Sequence, residues 1–270
     1  TVANHKYSAA PDDRETIWQH SSGEANHWQW HIGYIGNGEA NTAFCGTCPT
    51  QELVDAYDMT DGTPLLDLTK PYLDEQHLNP NYTASALKAN GGLYDPARPY
   101  DNRDPRMDAM VMHHGTSFRW DGKNVKVAAL SVDGDPTKDG KHCPTLDTSN
   151  RQKSRTGYYA CKFLAPNVDG MVKNFYSYNY TGSNPAKTKW KFYRMAEIYL
   201  NLAEAACEAG HPVEAAEAAS KTRRRVGMPD FTSGTPNLKY RIRNERRVEL
   251  VWEENRYFDL RRWQNPDGDL

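Results

Sequence analysis

Aromatic rings and hydrogen-bonding side chains occur together in one short segment, as a sugar site requires. Trp28 and Trp30 are two residues apart, Tyr34 follows, and Asn37 lies in a Gly- and Asn-rich stretch. Sugars present flat C–H faces edged by hydroxyls, so their sites combine rings with polar partners. In an extended segment both tryptophans would project to one face. These four residues, with Trp120 as a further candidate, are predicted to bind ligand; the alternative is that each ring only fills space under a loop.

Three aspartates could instead carry glycoside hydrolysis, which uses a pair of carboxyl groups. Asp55, Asp58 and Asp61 follow one another at spacings of three around the end of a predicted helix. The interpretation we favour is a solvated helix end followed by an Asp-Gly turn. The sequence contains no HExxH, no Gly-rich phosphate loop and no G-x-S-x-G elbow. No catalytic residue is therefore predicted.

Two groups of possible metal ligands are also present. His27 and His31, followed by Cys45 and Cys48, have spacings that zinc could use, although their order is reversed from that of a zinc finger. Aspartates at 133–139 resemble a calcium loop, but the glycine stands at the eighth position instead of the sixth. A chance collection in a loop-rich region is the favoured interpretation of both. We expect no metal and no cofactor.

Composition and charge exclude several functional classes. The 270 residues have a net charge of −2, which gives no basic footprint for nucleic acid. No apolar run approaches the roughly 20 residues that cross a bilayer. Arginine runs at 223–225, 246–247 and 261–262 are interleaved with acidic residues at spacings of three and four. They predict an ion-paired helical scaffold and not a phosphate site.

Local signals divide the chain into a loop-rich part, residues 1–188, and a helical part, residues 189–270. The first part is punctuated by Gly, Pro, Asn and Asp. A helix is predicted with Pro49 at its first position. Short apolar runs at 110–112 and 125–130 are typical of strands. The loop-rich part is where the candidate ligand-binding residues lie.

The helical part has a clear periodicity of 3.6 residues. Apolar side chains recur at helical spacing from Phe192 to Ala203, Gly210 is placed to end that helix, and Pro212 to begin the next. The short linker and the many alanines predict an antiparallel hairpin like one tetratricopeptide repeat. Two further helical segments follow, and Tyr257 and Phe258 are expected to serve the core.

Several longer motifs span most of the chain: PTQELVDAYDMTDG at 49–62, DPRM at 104–107, GYYACKF at 157–163, RMAEIYLNLAEA from residue 194, RRRVGMP at 223–229 and IRNERRVELVWEENRYFDLRRW at 242–263. In wording and order they resemble the motifs of the SusD/RagB family of outer-membrane nutrient-binding lipoproteins.

This resemblance implies a mainly α fold with extensive loops and a few short strands, including the tetratricopeptide-like hairpin. Family members are about twice this length, so residues 1–270 would correspond to the C-terminal region, with the family's N-terminal repeat half absent from this chain. The lipid anchor and signal peptide would also lie outside it.

The resemblance also implies a function. The protein would bind a nutrient, such as an oligosaccharide, at the cell surface and deliver it to a SusC-like TonB-dependent transporter in the outer membrane, without catalysis. Two alternatives remain open: a carbohydrate-active hydrolase, and a helical-repeat scaffold that binds only protein.

Overall fold

The computed structural model describes residues 14–19, 47–120, 123–126, 154, 156–160, 162 and 191–264. In these parts of the chain, helices predominate and the strands are short, which confirms the predicted fold class. In chain order the elements are β1 (Thr16–Gln19), α1 (Gln51–Asp55), a 3-10 turn (Lys88–Asn90), α2 (Pro105–Met110), β2 (Val111–Met112), β3 (Ser117–Trp120), β4 (Lys123–Lys126), β5 (Tyr159–Ala160), β6 (Lys191–Arg194), α3 (Met195–Glu208), α4 (Pro212–Arg225), α5 (Leu238–Glu249) and α6 (Asn255–Trp263).

The chain forms two compact units. The first takes residues 1–14, 19–54 and 107–190, and the second takes residues 15–18, 55–106 and 191–270. Each unit is therefore assembled from segments that are far apart in sequence.

Two small antiparallel ribbons belong to the first unit. Strand β2 pairs with β5, and β3 pairs with β4. The apolar run predicted as a strand at 110–112 is a strand only from Val111, because Met110 still belongs to α2. A hydrogen bond from the Thr156 hydroxyl to the Pro49 carbonyl, at 2.5 Å, ties the segment before β5 to the start of α1.

The α3–α4 hairpin of the second unit confirms the sequence prediction. Helix α3 ends in a Schellman motif: the His211 N–H donates to the Ala206 carbonyl at 2.8 Å and the Gly210 N–H to the Cys207 carbonyl at 3.2 Å. Gly210 has a φ of +80°, which glycine adopts without strain. Pro212 then begins α4. The two turn residues thus fix a tight reversal of the chain.

Small side chains bring the two helices of the hairpin together. Alanine residues of α3 and α4 are almost completely buried and form one cluster, which Phe231 and two residues of α5 complete. Because alanine has no side chain beyond Cβ, the helix backbones can approach closely, and α5 covers much of the resulting interface. The cluster consists of Ala203, Ala206, Ala215, Ala216, Ala218, Ala219, Phe231, Leu238 and Ile242.

A second core stabilises the loops between α1 and α2. It contains Met59, Leu65, Leu66, Ala86 and Tyr94, which are all buried. The loop makes one close backbone approach, at Gly92, where a Cβ atom would lie 2.3 Å from the carbonyl oxygens of the preceding turn. These loops therefore have a packed interior of their own.

Candidate functional site

Most residues that the sequence predicts to bind ligand lie outside the described residues. This applies to Trp28, Trp30, Tyr34 and Asn37. Trp120 is the last residue of β3, where it pairs with Lys123 in the ribbon. The structure therefore leaves these predictions untested.

The proposed metal ligands are in a similar position. His27, His31 and Cys45, and the aspartates at 133–139, are outside the described residues, whereas Cys48 is half-buried. Within the part of the chain that the structure describes, no three His, Cys, Asp or Glu side chains are grouped to hold a metal ion. No helix there is long and apolar enough to cross a membrane.

The second unit contains a buried group of eight charged side chains, here called the ionic layer. Arg106 lies at its centre and is 0% exposed. Its guanidinium donates to Glu245 at 2.5 Å, to Asp104 at 2.6 Å and to Glu249 at 3.0 Å. The members are Asp58, Asp104, Arg106, Arg194, Arg223, Arg241, Glu245 and Glu249.

Arg194, the last residue of β6, extends the layer toward β1. It donates to Glu249 at 2.8 Å, to Glu253 at 2.7 Å and to Glu15 at 2.6 Å. The Met195 N–H also donates to the Glu15 carbonyl, at 2.8 Å. Ion pairs therefore fix the start of α3 to the segment before β1.

The aspartates considered for hydrolysis contradict the expectation of a solvated helix end. Asp55 and Asp58 are both buried. The Tyr72 hydroxyl donates to Asp55 at 3.1 Å, and Asp58 accepts from Arg241 at 2.9 Å and from Arg223 at 3.1 Å. The helix ends against arginines from two later helices, and nothing in residues 49–62 alone could reveal them.

The third aspartate behaves as predicted. Asp61 accepts a hydrogen bond from the Thr63 N–H at 2.8 Å, and Gly62 has a φ of +84°. This is the turn chemistry that an Asp-Gly dipeptide favours. The three aspartates together thus offer no open pair of carboxylates of the kind that glycoside hydrolysis needs.

Electrostatics show that the ionic layer is a structural feature. Burial alone would raise the pKa of the Glu249 carboxyl, but Arg194, Arg225 and Arg106 hold that pKa well below its usual range. For Asp58 the balance is reversed: burial outweighs Arg241 and Arg223 and raises the pKa. Because these carboxylates are enclosed and paired, the layer fixes the fold and offers no surface to a ligand.

An open cleft of about 440 Å³ lies on the same unit, and we call it the α3–α6 cleft. One wall is a stripe of α3, since residues at i, i+4, i+7 and i+11 share a helix face. The other wall is α6, with Arg246 of α5 between them. The lining residues are Glu197, Asn201, Glu204, Ala205, Glu208, Arg246, Asn255, Phe258, Asp259 and Arg262.

Ion pairs hold α6 in place beside α3. Asp259 accepts from Arg246 at 2.7 Å, and Glu204 accepts from Arg262 at 2.8 Å and from the indole N–H of Trp263 at 2.5 Å. Burial opposes ionisation of Glu204, but the bonds from Arg262 and Trp263 lower its pKa. The charged side chains on both walls of the cleft are therefore held in place before any ligand binds.

Glu197 differs from the other carboxylates of the cleft. Glu204 and Asp259 have arginine partners, and Glu208 pairs with Lys239 at 2.8 Å. Among the residues that the structure describes, none forms a hydrogen bond or ion pair with the Glu197 side chain. Burial raises the pKa of Glu197, and the charge of Arg246 offsets this only in part.

Two aromatic residues of α6 correct the prediction that they serve the core. Tyr257 is 61% exposed and Phe258 is 67% exposed. The helix instead turns Asp259 and Trp263 inward, because these residues bind Arg246 and Glu204. Phe258 consequently lines the α3–α6 cleft as an accessible ring.

A second aromatic surface lies on β1 and β6, and sequence reasoning missed it. Trp18 is 57% exposed and stacks on Phe192 with ring centroids 4.4 Å apart, and Tyr193 lies 6.1 Å away. Phe192 was predicted to join the helix face of α3, but it belongs to the preceding strand. The polar sequence around Trp18 indicates an exposed site, yet its partners come from residues more than 170 positions away.

Comparisons with known proteins agree with this architecture. The SusD family model matches residues 14–270, so the chain belongs to the SusD/RagB family. A SusD-like protein from Bacteroides fragilis NCTC 9343 is 29% identical, with a TM-score of 0.64 over 96% of this chain and 45% of its own. A structure named BT4246 is 24% identical, with a TM-score of 0.63 over 97% of this chain and 42% of its own. The chain thus spans less than half the length of these structures. No curated protein matches it.

Proposed function

We propose that this chain is part of a nutrient-binding protein that captures a glycan at the cell surface. The observation that carries the proposal is the SusD family match over residues 14–270. The protein binds its ligand without chemical change and delivers it to a SusC-like TonB-dependent transporter in the outer membrane, where a lipid anchor holds it.

Exposed aromatic side chains support a glycan as the ligand. Trp18 and Phe258 both present accessible rings, and polar side chains surround Phe258 in the α3–α6 cleft. In the loop-rich part, Trp28, Trp30 and Tyr34 lie in a segment that also combines aromatic rings with polar side chains. Stacking of a sugar face on such rings provides affinity without any catalytic group.

The experiment is a glycan array to find a ligand, followed by calorimetry with that ligand on the wild type and on alanine variants of the candidate aromatic residues. Trp28→Ala or Trp30→Ala is expected to weaken binding by about 1–3 kcal/mol, if sugar stacking is comparable to the stacking of bases. Tyr240→Ala is the control, since Tyr240 is a partly exposed ring of α5 outside the cleft.

Two outcomes would contradict the proposal. If no glycan binds at any concentration tested, the ligand is of another class. If an oligosaccharide is cleaved on incubation, the protein is a hydrolase. Chromatography of the sugar after the binding experiment separates capture from cleavage.

A further inference from the structure

The chemistry of the α3–α6 cleft is specific enough to define a ligand class. Its volume of about 440 Å³ lies within the usual range for small-molecule sites, about 300–1,000 Å³. The lining contains four acidic residues and two arginines, which gives a formal charge of −2. Lys239, outside the lining, pairs with Glu208, so the uncompensated negative charge is that of Glu197, and it favours a cationic ligand.

Polar atoms without partners converge on the cleft. The Asn201 amide oxygen accepts from Arg246 at 2.6 Å, and the Asn255 amide nitrogen donates to the Glu253 carbonyl at 3.1 Å. The other atom of each amide has no hydrogen bond to a described residue. The Asn201 amide nitrogen and the Asn255 amide oxygen thus remain to bind hydroxyl groups, as a donor and an acceptor in the same cleft as the Glu197 carboxylate.

We propose that the α3–α6 cleft binds an amino sugar, with the ammonium group donating to Glu197, the pyranose face on Phe258 and the hydroxyls on Asn201 and Asn255. The inference rests on the proposed function only in taking a sugar as the ligand class.

A cation is the ligand group that best stabilises the Glu197 carboxylate. A half-buried carboxylate without a hydrogen bond is costly to ionise, and its pKa is raised for that reason. A charge-assisted hydrogen bond from an ammonium group offsets this cost. A neutral sugar offers only hydroxyl donors, and an acidic sugar would meet the negative walls of the cleft.

Phe258 makes a sugar a better occupant than a simple amine. Its ring is 67% exposed on a helix that two ion-paired residues, Asp259 and Arg262, and the hydrogen-bonded Trp263 hold in place, so the platform is rigid and accessible. An aliphatic ammonium ion offers no acceptor to the Asn201 amide nitrogen and no flat C–H face to the Phe258 ring. The cleft thus combines a platform, two hydrogen-bonding amides and one unpaired charge.

The test is calorimetry with glucosamine oligomers, their N-acetylated forms and glucose oligomers as probes. We expect glucosamine oligomers to bind most tightly. Glu197→Gln is expected to weaken their binding about tenfold or more, the range of a hydrogen bond to a charged group. Binding of glucose oligomers to Glu197→Gln is expected to change less than about twofold.

Two variants provide the controls. Phe258→Ala is expected to weaken binding of the amino sugar as well, whereas Glu214→Gln, an exposed glutamate in the first turn of α4, should have no effect. Acidification should weaken binding of the wild type, because protonated Glu197 no longer attracts the ammonium group, and should have less effect on Glu197→Gln.

The outcomes separate this inference from the proposed function. If glucosamine oligomers bind but neither Glu197→Gln nor Phe258→Ala weakens them, the amino-sugar site is elsewhere and the cleft assignment is wrong. If neutral glycans bind and amino sugars do not, the inference fails while glycan capture stands. If no sugar of any kind binds, both proposals fail.

Discussion

Glu249 in the ionic layer and Glu197 in the α3–α6 cleft are glutamates of the same unit with opposite pKa shifts. Three arginines surround Glu249 and hold its pKa well below the usual value. Burial raises the pKa of Glu197, which has no ion pair among the described residues. Paired charge in this protein therefore serves the fold, and unpaired charge at an accessible surface is available for a ligand.

The geometry of the two regions shows why they differ. The ionic layer receives side chains from five segments, so each of its arginines meets more than one oxygen acceptor. Among the described residues, the cleft is lined by α3, α6 and Arg246 of α5, and it lies open to solvent. A group that titrates at a raised pKa, beside an aromatic ring in such a cleft, is a stronger functional candidate than a fully enclosed one.

The largest effect is expected on removing the centre of the ionic layer. Arg106→Met fills a similar volume but leaves Glu245, Glu249 and Asp104 buried with one cation fewer. Breaking a buried ion pair in this way costs about 3–5 kcal/mol. Urea denaturation followed by circular dichroism measures the loss in free energy of unfolding.

The control for this prediction is Arg224→Met in α4. Arg224 pairs with Glu217 and Asp230 on the surface, where side-chain exposure is 42% or more on all three partners. Exposed pairs contribute little, so this variant should unfold close to the wild type. Equal losses for Arg106→Met and Arg224→Met would show that burial of the layer does not matter to stability.

The ionic layer also shows what sequence alone could predict. Gly210 and Pro212 stand within the turn that they define, so the α3–α4 hairpin was predictable from local signals. Arg106 and Glu245 are 139 positions apart, and Asp58 and Arg241 are 183 apart. No local pattern specifies such pairs, and this is why Asp58 was expected in solvent.

The cleft was missed for a related reason. Hydrophobicity predicts Tyr257 and Phe258 in the core. The face of α6 that packs inward instead carries Asp259, which binds Arg246 of α5, and Trp263, which binds Glu204 of α3. Charged partners from other helices therefore override the apolar pattern. The sequence did predict that the acidic and basic runs form an ion-paired scaffold, and Arg262 pairs with Asp259 at the expected spacing of three. Other arginines of these runs reach further along the chain, since Arg246 binds Asp259 over 13 positions and Arg223 binds Glu245 over 22.

Acid titration is expected to have the next largest effect. The lowered pKa values of Glu245 and Glu249 mean that the unfolded chain, with glutamate near pH 4.3, binds protons that the folded protein does not. Stability should therefore be constant from about pH 7 to about pH 5 and fall below about pH 4, by about 1.4 kcal/mol for each unit of pKa shift.

Asp58 acts in the opposite direction and reduces this loss. Its raised pKa means that the folded protein binds a proton more readily than the unfolded chain, so its protonation on acidification stabilises the fold. This gain arises between the unfolded pKa of aspartate, near 3.9, and the raised pKa of Asp58, so Asp58→Asn should lose stability more steeply than the wild type as the pH falls toward about 4, and with the same slope below it. Urea denaturation at several pH values measures these changes. A free energy of unfolding that is highest at acid pH would contradict the predicted acid loss.

The smallest effect is expected at Glu197, and its sign distinguishes the two regions. Because the raised pKa reflects a carboxylate that the fold disfavours in its charged form, Glu197→Gln removes a cost instead of an ion pair. Glu197 is partly exposed and solvent screens it, so the gain at pH 7 should be below about 0.5 kcal/mol. The difference should vanish at a pH where Glu197 is protonated in both the folded and the unfolded state.

Glu217→Gln is the control of opposite sign, since Arg224 and Lys221 lower the pKa of Glu217 to about 2 and its substitution removes favourable pairs. A loss of stability in Glu197→Gln as large as that in Arg106→Met would mean that Glu197 belongs to the structural network and that the cleft has no unpaired charge for a ligand.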